Sequence, residues 1–231
     1  MNVLCVETSG GRAFVAALAQ GIVIHAVTSE RASTHAERIL DMMGEVLRAA
    51  GWMDAACALV AVGRGPGSFT GVRVAVATAK GFAFARRIPL VGVVSLDAMA
   101  HAAQLQRGAL PGAAFVDAKK GEVFAAFYGA AGETLVAPAH LPRERAVQWL
   151  AEAQLRTGLS CAWIAGEIAQ SIGLADARWL LGEGVDLPGP VSMAALAEQA
   201  WEARAHDELV ELEPLYVRPP DIHVAAPRVA T

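Results

Sequence analysis

A short apolar run that ends in a carboxylate occurs twice in this chain, 110 residues apart, and that repeat constrains the fold more than any other feature. Residues 2–7 read NVLCVE and lead into the turn signal Thr8-Ser9-Gly10-Gly11. A shift of 110 positions superimposes Val6-Glu7 on Val116-Asp117, Gly11 on Gly121, Phe14 on Phe124 and Ala16 on Ala126. Each copy predicts a strand ending in an acid, a glycine-containing turn, and a second strand carrying a phenylalanine.

Around the first copy the pattern predicts strands over 2–7, 12–19 and 21–30, and then a helix. Apolar residues at 36, 39, 40, 43, 47 and 50 have helical spacing. Ser33 or Thr34 is the expected N-cap, with Glu37 closing a capping box on Thr34 and Gly51 as the stop. ALVAVG (58–63) and LVGVVS (90–95) are expected as buried strands, and 70–87 and 96–107 as helices. Residues 113–136 restart the pattern, followed by helices over 143–155 and 192–206 and a short strand in SCAWIAG. Two β-β-β-α units in tandem match the plan of the actin-like ATPases and sugar kinases. The expected fold class is therefore α/β of the actin-like (ASKHA, ribonuclease-H-like) type, with a degraded second half. The expected units are 1–107, 108–218 and an extended Pro-rich tail over 219–231.

With 55% apolar and 18% charged residues, the chain has ample material for a core. The formal charge is −4 and the sequence shows no basic stripe of the kind a free-standing nucleic-acid binder carries, so this chain is not expected to be the main grip on RNA. Cys5, Cys57 and Cys161 lie far apart in apolar runs, as expected for reduced thiols of a cytoplasmic protein. The opening MNVLCVETSG lacks a basic n-region and a long apolar h-region, so no signal peptide or membrane span is expected.

The glycine-rich stretch GRGPGSFTGVR, 63–73, fails both nucleotide fingerprints. A P-loop requires a lysine after its last glycine, and here Val72-Arg73 follow. A tight turn at Gly65 and Gly67, with Ser68 or Thr70 capping the next helix, accounts for the composition. The six histidines (25, 35, 101, 140, 206 and 223) offer no i, i+4 pair for a metal. No G-x-S-x-G elbow is present. Glu7 and Asp117 are the candidates for a cleft between the halves, either as an acid–base pair or as vestiges of a nucleotide site.

The helix from Gly71 to Arg87 is apolar nearly all round, unlike a surface helix with one apolar stripe. Arg73 and Lys80 share a narrow polar line, while Ala77, Thr78 and Gly81 would let another helix approach closely. Met42, Met43 and Val46 on the preceding helix suggest a second adaptable patch. The expected partner interface is thus Ile39, Met42, Met43, Val46, Gly71, Arg73, Val74, Ala77, Thr78, Lys80 and Gly81.

GRGPGSFTGVR, DAKKGEVF (117–124) and EPLYVR (213–218), in this order and spacing, resemble the TsaB (YeaZ) family of bacterial subunits in tRNA threonylcarbamoyladenosine synthesis. The family's usual aspartate at the first strand end is Glu7 here. The resemblance implies a non-catalytic subunit that dimerises with and activates the paralogue TsaD, with TsaE as a further partner and a homodimer when alone. It implies that ATP and metal are held by the partner subunits, that no cofactor is bound here, and that tRNA is met only through the complex. The H-x-x-x-H metal motif of TsaD falls near Ser95 and Met99, with His101 out of register. The alternative is a self-sufficient ATP-dependent phosphotransferase of the actin–sugar-kinase type, resting on Glu7 and Asp117. Zinc peptidase chemistry, the older M22 glycoprotease reading, has no support in these residues.

Overall fold

Strands Asn2–Glu7 (β1), Ala13–Ala19 (β2) and Ile22–Ser29 (β3) form an antiparallel meander, and Leu59–Gly63 (β4) and Leu90–Val93 (β5) add to it in parallel. The sheet order is β3-β2-β1-β4-β5. Gly112–Lys119 (β6), Glu122–Tyr128 (β7), Thr134–Pro142 (β8) and Trp163–Ala165 (β9) repeat the plan in a smaller sheet of order β8-β7-β6-β9. The helices are His35–Ala49 (α1), Phe69–Arg86 (α2), Ser95–Arg107 (α3), Ala146–Thr157 (α4) and Pro190–Arg204 (α5). This computed structural model describes residues 1–30, 35–54, 56–204 and 207–218, without the side chains of 35–37 and 204. The expected capping box at Ser33, Thr34 and Glu37, and the tail over 219–231, lie outside the described residues.

The inner strands of each sheet are covered on both faces and are apolar at nearly every position, whereas the edge strands β3 and β8 are largely exposed. On the first sheet, Leu4, Val6, Val15, Ala17, Val60 and Val62 face α1 and α2. The alternate set, Val3, Cys5, Phe14, Ala16, Leu18, Leu59 and Ala61, packs with Ala98 of α3 and Met193, Ala194 and Ala197 of α5. On the second sheet, Ala114, Val116, Phe124, Ala126 and Tyr128 face Leu96, Met99 and Ala103 of α3. Ala113, Phe115, Val123 and Phe127 face Leu150 and Ala153 of α4. The result is five layers, α1/α2, first sheet, α3/α5, second sheet and α4.

The second unit is not self-contained. Helix α5 packs on the first sheet, and Leu212 beyond it is buried among the residues beneath α1 and α2. The extended segment 213–218 then crosses both halves. The Leu215 amide donates to the Arg64 carbonyl at 2.7 Å, and Arg218 meets Glu122 at 3.1 Å.

The two hairpins are not in the register that the repeat suggests. Phe14 pairs with Glu7, whereas Phe124 pairs with Val116. Val6 faces α1 and α2, but Val116 faces α3. A one-residue slip turns every side chain to the opposite face. Glu7 is therefore the structural counterpart of Val116, and Asp117 is not its equivalent. The slip comes from the irregularity that β6 carries between Asp117 and Lys119, which sets one extra residue between Val116 and Phe124, and a matching of identities cannot register it.

Candidate functional site

The glycine loop and the turn after β1 fold onto each other. Ser68 donates its amide to the Ser9 carbonyl at 2.7 Å, and Thr8 donates its hydroxyl to the Gly71 carbonyl at 2.6 Å. A Cβ on Gly67 would collide with the Ser9 carbonyl, and one on Gly71 with the Thr8 carbonyl. These glycines allow two backbones to touch, and Gly65 adds a φ of +90° that other residues rarely adopt. Ser68 is the N-cap of α2, accepting from the Gly71 amide at 3.3 Å. The loop is thus a strand-to-helix turn with a cap.

Glu7 lies under this turn, 1% exposed. One carboxylate oxygen accepts from the Ser9 amide, and the other from the Ser95 hydroxyl at 2.9 Å. The hydroxyls of Ser9 and Ser95 are 3.0 Å apart. Burial pushes the Glu7 carboxyl above the usual glutamate range, and hydrogen bonds from Ser9 and Ser95 oppose that.

Ser9, Gly10 and Gly11, the α2 start at Ser68–Thr70, Asp117–Lys120, Glu167 and the 215–218 segment enclose a cleft of about 600 Å³. Asp117 lines it, while Glu7 sits behind Ser9. The two acids expected to converge are therefore separated by burial and by strand face. Asp117 is itself occupied, accepting from the Lys119 amide at 3.0 Å and side chain at 2.9 Å, and from Arg143 at 2.9 Å. Burial alone would raise its pKa, but Lys119 and Arg143 hold it below the usual carboxylate range. Burial pushes Glu167 the other way, up.

The positions near which a TsaD-type metal motif falls are filled differently. Ser95 bonds Glu7, Met99 is in the core, and His101 faces Ser192 of α5 at 3.0 Å. The three cysteines are buried thiols, with Cys57 and Cys161 pushed up to about 11 by burial. Among the described residues, no cluster of three His, Cys, Asp or Glu side chains is placed to share a metal, and no helix is long and apolar enough to cross a membrane.

The helix pair corrects the expected interface. Ile39, Met42, Met43 and Val46 are each at most 3% exposed and pack against the first sheet. Their i, i+3, i+4, i+7 spacing is the inward stripe of α1, so they form no surface patch. Gly71 is likewise buried against Thr8. What α2 turns outward is Arg73, Ala77, Gly81 and Phe84, the last 74% exposed, flanked by half-buried Val74, Thr78 and Lys80. Arg73 stacks over Phe69 at 4.9 Å, and Phe69 lies 5.3 Å from the Tyr216 ring. The sequence reading missed this aromatic contact. Phe69, next to Ser68, and Tyr216 within EPLYVR were its signals.

Two sheets of matching strand order, with hairpin turns converging on a cleft, define an actin-like (ASKHA) fold. The chain belongs to the family described as TsaD, tRNA N6-adenosine threonylcarbamoyltransferase, whose model matches residues 22–169, and within it its relatives are TsaB/YeaZ proteins. The Escherichia coli tRNA threonylcarbamoyladenosine biosynthesis protein TsaB is 37% identical over 129 residues, a match spanning 55% of each chain. TsaB of Haemophilus influenzae is 28% identical over 94% of both chains. The solved structure of YeaZ from Pseudomonas aeruginosa is 32% identical, with a TM-score of 0.72 over 93% of this chain and 99% of that one.

Proposed function

We propose that this chain is a non-catalytic subunit in the synthesis of threonylcarbamoyladenosine on tRNA, pairing with a TsaD-type transferase and activating it. The names of its TsaB relatives supply the pathway. The observation that carries the pairing is the outward strip of α2, where Ala77 and Gly81 keep the surface low beside exposed Phe84. A low strip of small residues beside an aromatic knob suits close packing of a partner helix. ATP and metal belong to the partners in this reading, TsaE joins the pair, tRNA is met through the complex, and the setting is the cytoplasm. The engaged Asp117 and the enclosed Glu7 fit a cleft that no longer handles a nucleotide–metal pair. The test is to mix the chain with a TsaD homologue and measure complex formation and tRNA modification. Ala77→Glu should abolish both, and a variant that still assembled would refute the α2 interface.

A second reading, an ATP-dependent phosphotransferase, draws on the cleft of about 600 Å³ lined by Ser9, Gly10, Gly11, Lys119 and Lys120. Calorimetry of the isolated chain with ATP and Mg²⁺ separates the two. Tight binding would favour the phosphotransferase, and absence of heat the accessory subunit.

A further inference from the structure

The segment that crosses the cleft, residues 213–218, is held unequally along its length. Its root is fixed to the first sheet. Asp207 accepts from the Leu90 amide at 3.0 Å and Glu208 from the Gly92 amide at 2.9 Å. The Leu212 amide donates to the Glu208 carbonyl at 2.8 Å, and the Leu212 side chain is 3% exposed in the core beneath α1 and α2.

Beyond Leu212 the ties lie nearer the surface. The Leu215 amide donates to the Arg64 carbonyl at 2.7 Å, and half-exposed Tyr216 rests on an equally exposed Phe69. Val217 is only partly buried against the cluster between α3 and the second sheet. Arg218 pairs with Glu122 at 3.1 Å, their side chains 25% and 28% exposed. No helix or strand forms over 213–218. Yet Leu215 to Arg218 line the cleft of about 600 Å³, together with the buried apolar side chains of Val72, Val116, Phe124 and Leu187.

We propose that residues 215–218 are a lid, which swings from the fixed Leu212 to admit an uncharged apolar small molecule and closes as Arg218 meets Glu122. A segment opens locally at the cost of its own contacts, and a partly exposed ion pair supplies few of them. The outer half therefore opens while the root stays in place. What opening uncovers sets the class of ligand, because Val72, Val116, Phe124 and Leu187 offer apolar surface. The cations Lys119 and Arg218 at the rim are engaged by Asp117 and Glu122, so they offer an anion no ready counter-charge. The lid is separate from the outward strip of α2, and the proposal does not depend on the pairing with TsaD.

The test is hydrogen exchange of the full chain, read at the Leu212 and Leu215 amides, beside binding of Nile red, an uncharged apolar dye. Both readouts scale with the fraction of molecules whose lid is open. In the unaltered protein Leu215 should be protected at least about tenfold less than Leu212, because the root stays closed. Arg218→Gln should raise Leu215 exchange and dye affinity by the same factor, about threefold, and leave Leu212 unchanged. Thr70→Trp, which sets bulk into the cleft from an exposed position, should abolish dye binding. The first comparison needs no variant, so it stands even if a variant folds poorly. Equal protection of Leu212 and Leu215 would overturn the proposal, since the segment and the core would then open as one. Dye affinity unmoved by Arg218→Gln while Leu215 exchange rises would also overturn it, leaving the segment a structural tie. So would the absence of dye binding in the unaltered protein, or dye binding that persists in Thr70→Trp.

Discussion

The Ser95 hydroxyl donates to the buried carboxylate of Glu7 at 2.9 Å, tying the first residue of α3 to the last residue of β1. With the Ser9 amide on the other oxygen, the carboxylate fixes the start of the turn that carries the glycine loop. Glu7 here is a structural anchor at the base of the cleft.

Replacing Glu7 by Ala should cost about 3 kcal/mol, because it removes buried atoms and strands the Ser9 amide and the Ser95 hydroxyl. Glu7→Gln keeps an acceptor for Ser9 and offers a donor to the hydroxyls, so its cost should stay within about 1 kcal/mol at neutral pH. Chemical denaturation of the three proteins measures both numbers.

The same pair gives a pH dependence of definite sign. The folded-state pKa of Glu7 is raised above its ordinary 4.5 by burial. Its contribution is then fully present below 4.5 and declines as pH rises through the folded value. Glu7→Gln should remove that decline, so the stability difference between wild type and variant should shift in favour of the variant from pH 4.5 upward. A constant difference across that range would show that Glu7 does not titrate differently on folding.

Asp117 should behave in the opposite sense. Its pKa is held below 3.8 by Lys119 and Arg143 against the effect of burial. Its stabilisation is present above 3.8 and lost as pH falls through the depressed value. Asp117→Asn should cost about 1 kcal/mol or less near neutrality, given how exposed Lys119 is. Thermal melts of wild type and variant should converge in acid.

Gly67→Ala and Gly71→Ala should each destabilise by about 1–3 kcal/mol, since the new methyl meets the carbonyl of Ser9 or Thr8. Gly10→Ala is the control. Its added Cβ meets Leu187 at an ordinary 3.5 Å, and the melting temperature should hardly move.

The sequence alone determined what is local. The near-continuous apolar runs of β1, β2, β6 and β7 make both strand faces apolar, and the 39, 42, 43, 46 spacing makes one stripe of α1, whatever the stripe then meets. The loop 63–71 could be read as a turn with a cap because glycine positions and hydroxyls state local geometry directly. Tertiary structure decided everything that depends on a partner distant in the chain. Periodicity names a stripe but not its target, so Met42 and Met43 read as an interface until the first sheet covered them. Identity over a 110-residue shift cannot sense unequal hairpin loops, so Asp117 read as the twin of Glu7 until strand pairing placed Val116 there. Nor could local pattern foresee that Leu212 and Tyr216 return to the first half, because that contact follows from α5 packing on the first sheet.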